Sequence, residues 1–132
     1  MTRRQRVTLL ASMLLWGLAS RAPGQAPARS DSTEGRMALG RKLFEGKGLC
    51  FSCHGKNGEG LIAPSTRLVG RIMIHTKATV ADVAALIKVG VDSAHSTTGV
   101  AMPARGGSRL TDKEVDAVAW YVLDLIKREK PH

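Results

Sequence analysis

Cys50 and Cys53 stand three positions apart, and His54 follows the second directly. Two thiols at that spacing can form a redox dithiol, supply half of a zinc site, close a short-loop disulfide, or add across the two vinyl groups of a porphyrin. The adjacent imidazole favours the last. The vinyl groups lie on neighbouring edges of the ring, so one turn between the cysteines lets both thiols reach them while His54 meets the iron from one face. A zinc site wants about four N/S ligands, but the chain has 2 cysteines and its other histidines, His75, His95 and His132, are scattered singly. A thioredoxin-like motif would open a helix after a strand, and the flanks here read helical on both sides. The expected cofactor is one haem c, bound through Cys50 and Cys53, with His54 on the iron.

A c-type iron takes histidine plus methionine or a second histidine, and a thioether raises the reduction potential. Met102 precedes Pro103 in a glycine-flanked loop ahead of a capped helix. Loops lie at the surface and have no face to bury, so core packing does not account for a methionine there. Met37 falls on the apolar face of a helix and Met73 in the run Ile72-Met73-Ile74, where packing explains both. Met102 is therefore the expected second axial ligand, with His75 and His95 as alternatives.

The elements that must position these residues read as helices joined by glycine-rich loops. Residues Glu34 to about Gly46 carry Met37, Leu39, Leu43 and Phe44 among charged residues, an amphipathic pattern ending in glycines. Residues 55–64 hold three glycines and must be loop. Thr79 to Val89 has Thr79 as N-cap and Val83, Leu86 and Ile87 on one face. After a second loop, 90–107, Thr111-Asp112-Lys113-Glu114 forms a capping box. Val115, Val118, Ala119, Val122 and Ile126 then recur at helical spacing. No alternating strand pattern appears, so the expected class is all-α, with helices packed around one haem and long loops between them.

The N-terminus looks like a leader. Arg3, Arg4 and Arg6 precede an apolar run of 13 residues, Val7 to Ala19, and a Pro/Ala/Gly-rich stretch. Such a run reaches about 20 Å as a helix, short of a bilayer core of about 30 Å. Residues 1–28 are read as a signal peptide and leader, cleaved after Ala19 or Ala28, with an uncleaved anchor as the alternative. Arg3-Arg4 resembles a twin-arginine signal, but Arg6 stands where an apolar residue is expected. Residues 29–33 read as a flexible segment and 34–132 as one domain. The leader holds four arginines and no acid, which takes 20 basic residues against 11 acidic ones down to 16 against 11. The remaining basic residues are dispersed rather than gathered in a stripe, which argues against nucleic acid.

From about residue 35 to 128 the chain resembles the small bacterial monohaem class I cytochromes c. The residues that carry the resemblance are Gly40 and Phe44, Cys50-Phe51-Ser52-Cys53-His54-Gly55, Pro64, Ile87-Lys88-Val89-Gly90, Met102-Pro103, Leu110-Thr111-Asp112-Lys113-Glu114 and Trp120-Tyr121. The resemblance implies that Gly40 lets the first helix cross the last one closely, with Phe44 and either Trp120 or Tyr121 in the contact. It implies that the Pro64 carbonyl accepts a hydrogen bond from His54 Nδ1–H and so orients the imidazole. Two departures stand out. The leucine usual two residues after the proline is delayed to Leu68, and Arg105 stands where an apolar or aromatic residue is common. Arg71 is a candidate contact for a haem propionate.

With both axial positions filled, the expected activity is one-electron transfer in the periplasm, without catalysis by this chain itself. It would serve as a mobile carrier or as the haem subunit of an oxidoreductase complex. The alternative is a haem-based gas sensor or ligand-binding protein with a labile sixth ligand. The expected partners are redox proteins with an acidic docking surface, attracted by Lys47, Lys56 and Arg105 around the exposed haem edge, with no stable membrane insertion after leader removal.

Overall fold

The computed structural model describes residues 31–128. The leader with its two cleavage positions, the first residues of the 29–33 segment, and His132 lie outside the described residues. Four helices follow in order: α1 (Thr33–Glu45), α2 (Phe51–His54), α3 (Val80–Val89) and α4 (Asp112–Lys127). Short 3-10 turns occur at Pro64–Thr66 and Ala104–Gly107. Among the described residues there is no named strand; Val91 and Met102 make an isolated antiparallel bridge. The all-α expectation holds.

Local chemistry fixes the helix starts. The Ser32 hydroxyl accepts the Gly35 amide at 3.0 Å, so α1 begins at Thr33, inside the segment expected to be flexible. Thr79 caps α3 by accepting from the Asp82 amide at 3.2 Å. At α4 the capping box closes both ways: Thr111 Oγ1 accepts the Glu114 amide at 3.4 Å, and Glu114 Oε2 accepts the Thr111 amide at 2.7 Å. Such caps contribute on the order of 1 kcal/mol each by satisfying amide groups that a helix leaves without partners.

The helical frame is α4 with α1 and α3 packed against it. Phe44 from α1, Val83 and Ile87 from α3, and Val115, Val118, Val122 and Leu125 from α4 are buried in one core. Each such side chain contributes about 1.5–3 kcal/mol when fully covered. A Cβ on Gly40 would overlap the carbonyl oxygen of Ala117, so the two backbones meet where no side chain fits. One turn on, the Phe44 ring stands edge-on to Tyr121 with centroids 5.3 Å apart. Tyr121, rather than Trp120, is the aromatic in the crossing. The Tyr121 hydroxyl donates to the Lys56 carbonyl at 3.2 Å, tying the frame to the segment just beyond α2.

Candidate haem site

The site is built on a helix of a single turn. Cys50 caps α2, Cys53 lies one turn on, and His54 ends it, with the His54 amide donating to the Cys50 carbonyl at 3.0 Å. Residues three and four apart share a face of a helix, so both thiols and the imidazole belong to one short surface. Both cysteines are free thiols. Burial pushes the Cys50 thiol up to about 11, the reverse of the depressed value that makes a redox dithiol reactive.

His54 Nδ1–H donates to the Thr66 carbonyl at 2.6 Å. The expected acceptor, Pro64, is thus corrected by two residues. The cause is the stretch Ser65-Thr66-Arg67 that delays Leu68. Pro64–Thr66 coils into a 3-10 turn in which Thr66 Oγ1 donates to the Ala63 carbonyl at 2.7 Å, and the turn presents the Thr66 carbonyl to the ring. The Pro64 carbonyl instead receives the Arg71 guanidinium at 3.4 Å, and Arg71 also donates to the Ser65 carbonyl. Burial lowers the His54 pKa, the Thr66 bond opposes that shift, and the nearby Arg71 charge adds to it. Burial thus disfavours the charged imidazole, and with its Nδ1–H held by Thr66 it is Nε2 that is left to offer a lone pair to a metal. The Phe44 ring lies 6.3 Å from the imidazole, so the helix crossing also backs the site.

Met102 comes to the same place along another route. Its amide and carbonyl both pair with Val91, each bond 2.8 Å long. A Cβ on Gly90 would overlap the Met102 carbonyl, so the turn that ends α3 must be glycine for the methionine segment to lie this close. The Gly90 φ of 81° lies in the region that glycine alone adopts readily.

Cys50, Cys53, His54, Arg71 and Met102 all line one cleft of about 310 Å³, within the size range of ligand pockets. Met73 and His75 line it as well. Met73 packs against the core, and His75 is exposed with no hydrogen bond among the described residues. His95 does not line the cleft; its ring is bound to the Asp92 carboxylate at 2.8 Å. Lys47 pairs with Glu114 at 2.7 Å and Arg105 with Asp112 at 2.7 Å, and neither they nor Lys56 line the cleft. Sequence reasoning missed Thr66 and Val91, and it singled out Gly90 without its contact with Met102. The delayed leucine was a signal for the first; a main-chain pairing leaves no side-chain signature for the second.

A family model described as cytochrome c oxidase, cbb3-type, subunit III matches residues 35–122. The chain belongs to this family. It is a monohaem c-type cytochrome domain, an electron carrier with one covalently attached haem c. No curated protein and no solved structure matches it.

The cleft fits that group. Of the eight large hydrophobic residues exposed among the described ones, five line it: Leu49, Ile62, Ile72, Ile74 and Val100. Ile72 is 84 % exposed and Ile74 56 %, which is apolar surface that a porphyrin plane would cover. No carboxylate lines the cleft, whereas Arg67 and Arg71 do. Two buried polar atoms there, Ser65 Oγ and Arg67 Nε, have no hydrogen-bond partner. An apolar plane carrying two carboxylates suits that combination. No helix among the described residues is long and apolar enough to cross a membrane.

Proposed function

We propose that this chain is a periplasmic one-electron carrier whose haem is bound by thioethers at Cys50 and Cys53 and ligated by His54 and Met102. The observation that carries this reading is the convergence of both thiols, an imidazole oriented by Thr66 and a main-chain-anchored thioether in one cleft. When bound, the haem supplies an iron that cycles between the ferrous and ferric states. The chain's own residues do the rest. Thr66 fixes the imidazole's tautomer and direction and makes it a stronger donor. Val91 and Gly90 hold Met102, whose soft sulfur favours the ferrous state. Arg67 and Arg71 are the cations available to the propionates. The apolar residues of the cleft exclude water, which also raises the potential.

The family's description, subunit III of an oxidase, supports a role as the haem subunit of an oxidoreductase complex; a mobile carrier is the other form the same one-electron chemistry takes. The leader pattern at residues 1–28 supports export. The deciding experiment is Met102→Ala in the haem-loaded protein. The haem should stay attached through acid-acetone extraction, the near-infrared Met–Fe(III) band should vanish, and the potential should fall substantially. A wild-type spectrum and potential in Met102→Ala would exclude Met102 as ligand. A wild-type protein that lacks the band and takes up CO without resistance would favour the gas-binding alternative.

A further inference from the structure

Arg105 has a backbone conformation that its side chain cannot explain and a set of contacts that can. Its φ of 54° is left-handed, and among the described residues only Leu49 shares that condition without being glycine. The conformation costs about 1–2 kcal/mol for a residue with a Cβ, and such residues persist where the surroundings over-determine them. Here the surroundings are explicit. Arg105 Nη1 donates to the Leu110 carbonyl at 2.7 Å and Nη2 to Asp112 Oδ1 at 2.7 Å. The other oxygen of Asp112 receives Lys88 Nζ at 3.3 Å. The Arg105 carbonyl accepts Ser108 Oγ at 2.6 Å. One planar guanidinium thus reaches two acceptors just ahead of and at the start of α4, and Asp112 in turn reaches the last turn of α3.

These contacts bear on Met102 by position. Val91 pairs with the Met102 backbone on one side, and Arg105, three residues on, ties the following turn to α4. Gly106 then lies against Gly48, where an added Cβ would meet the Gly48 carbonyl at 2.7 Å. The methionine loop is seated on the turn that leads into Cys50. We propose that Arg105 is a positioning residue for Met102: its forked contact with Leu110 and Asp112 clamps the methionine loop and sets how readily the thioether leaves the iron. This rests on Met102 being the axial ligand, which Met102→Ala tests separately.

The test is competition by imidazole for the sixth position of the ferric haem-loaded protein, read in the visible spectrum and the near-infrared Met–Fe(III) band. Arg105→Gln removes the charge and the fork, and it should raise imidazole affinity about tenfold, a 1.4 kcal/mol change in keeping with a charge-assisted hydrogen bond discounted for exposure. Asp112→Asn keeps the Leu110 contact and should raise it roughly two- to threefold, and Arg105→Lys, with one prong, should fall between wild type and Arg105→Gln. A purely structural role would lower the melting temperature of Arg105→Gln while leaving imidazole affinity and the band unchanged, and that result would overturn the proposal. Arg105→Gly relieves the left-handed backbone but deletes the fork; wild-type behaviour there would equally overturn it. Should wild type and Met102→Ala bind imidazole alike, the ligand assignment fails and this inference with it.

Discussion

The helical frame and the cleft-lining loops are made from the same chain under opposite conditions. In the frame, Val115, Val118, Ala119 and Leu125 show no exposed surface, every helix start is capped, and the one close backbone crossing is at a glycine. In the loops between residues 49 and 106, apolar side chains face outward, two buried polar atoms lack partners, and two non-glycine residues hold left-handed φ. The core runs through the frame and takes in Val69 and Leu110 from the loops, whereas five exposed apolar side chains line the cleft that the haem would fill. Variants should therefore report which half they touch.

The largest expected effect lies in the loops. Cys50→Ala combined with Cys53→Ala removes both attachment points, so the haem becomes extractable or absent. Leaving five exposed apolar side chains uncovered at about 1 kcal/mol each amounts to a loss of about 20 °C or more in melting temperature for a domain of this size. Amide exchange should accelerate through residues 60–79 and 91–104 while the middle of α4 keeps the most protection. Equal loss of protection in α4 and in those loops would mean that the frame is not self-sufficient.

A smaller effect, confined to the other half, is expected of Gly40→Ala. The added methyl overlaps the Ala117 carbonyl, which is backbone and cannot rotate aside, so α1 must back away from α4. Overpacking of this kind costs typically about 1–3 kcal/mol, or roughly 5–20 °C. Below its transition the variant should keep the wild-type haem spectrum and potential. A changed axial-ligand spectrum in the folded variant would show that the crossing, through Phe44 against His54, governs the site as well as the fold.

The two halves were not equally legible in the sequence. Frame elements follow from side-chain periodicity and capping residues, which is why α3 and α4 fall within a residue of where Thr79 and Thr111 place them. The thiols and His54 were legible because covalent chemistry constrains residue type as well as spacing. What sequence reading misplaced depends on main-chain atoms. Any residue carries a carbonyl, so the delayed Leu68 signals a rearranged turn but does not single out Thr66 over Pro64 until the 3-10 turn is seen. The pairing of Val91 with Met102 is backbone to backbone for the same reason. The ion pairs of the charged residues were not legible either, for a different cause. Lys47 and Arg105 lie near the site in sequence, but each finds a carboxylate on the first turn of α4; long flexible side chains settle on the nearest opposite charge, which sequence distance does not reveal.

Those two ion pairs join the halves, and they give the smallest of the expected effects. Lys47 precedes Cys50 and pairs with Glu114; Arg105 follows Met102 and pairs with Asp112. The Lys47 ammonium, and next the Thr111 amide, hold the Glu114 carboxyl down at about 2. Arg105, and next Lys88, lower Asp112 as well. In the unfolded chain a glutamate titrates at about 4.3, so between that value and about 2 the unfolded state binds a proton that the folded state refuses. By linkage, the contribution of Glu114 is present above the unfolded value and lost as pH falls toward the folded one. Both groups are solvent-exposed, so the change is a few degrees at most at low ionic strength and is screened by salt. Glu114→Gln keeps a capping side chain but carries no charge to titrate. Its melting temperature should lie below wild type at pH 6, and the gap should close progressively as pH falls from about 5 to about 2. A gap that stays constant over that window would mean that Lys47 contributes nothing to the junction, and that the cleft's lead-in turn is held to the frame by the Gly48 amide on the Leu43 carbonyl and by the close approach of Gly48 to Leu110.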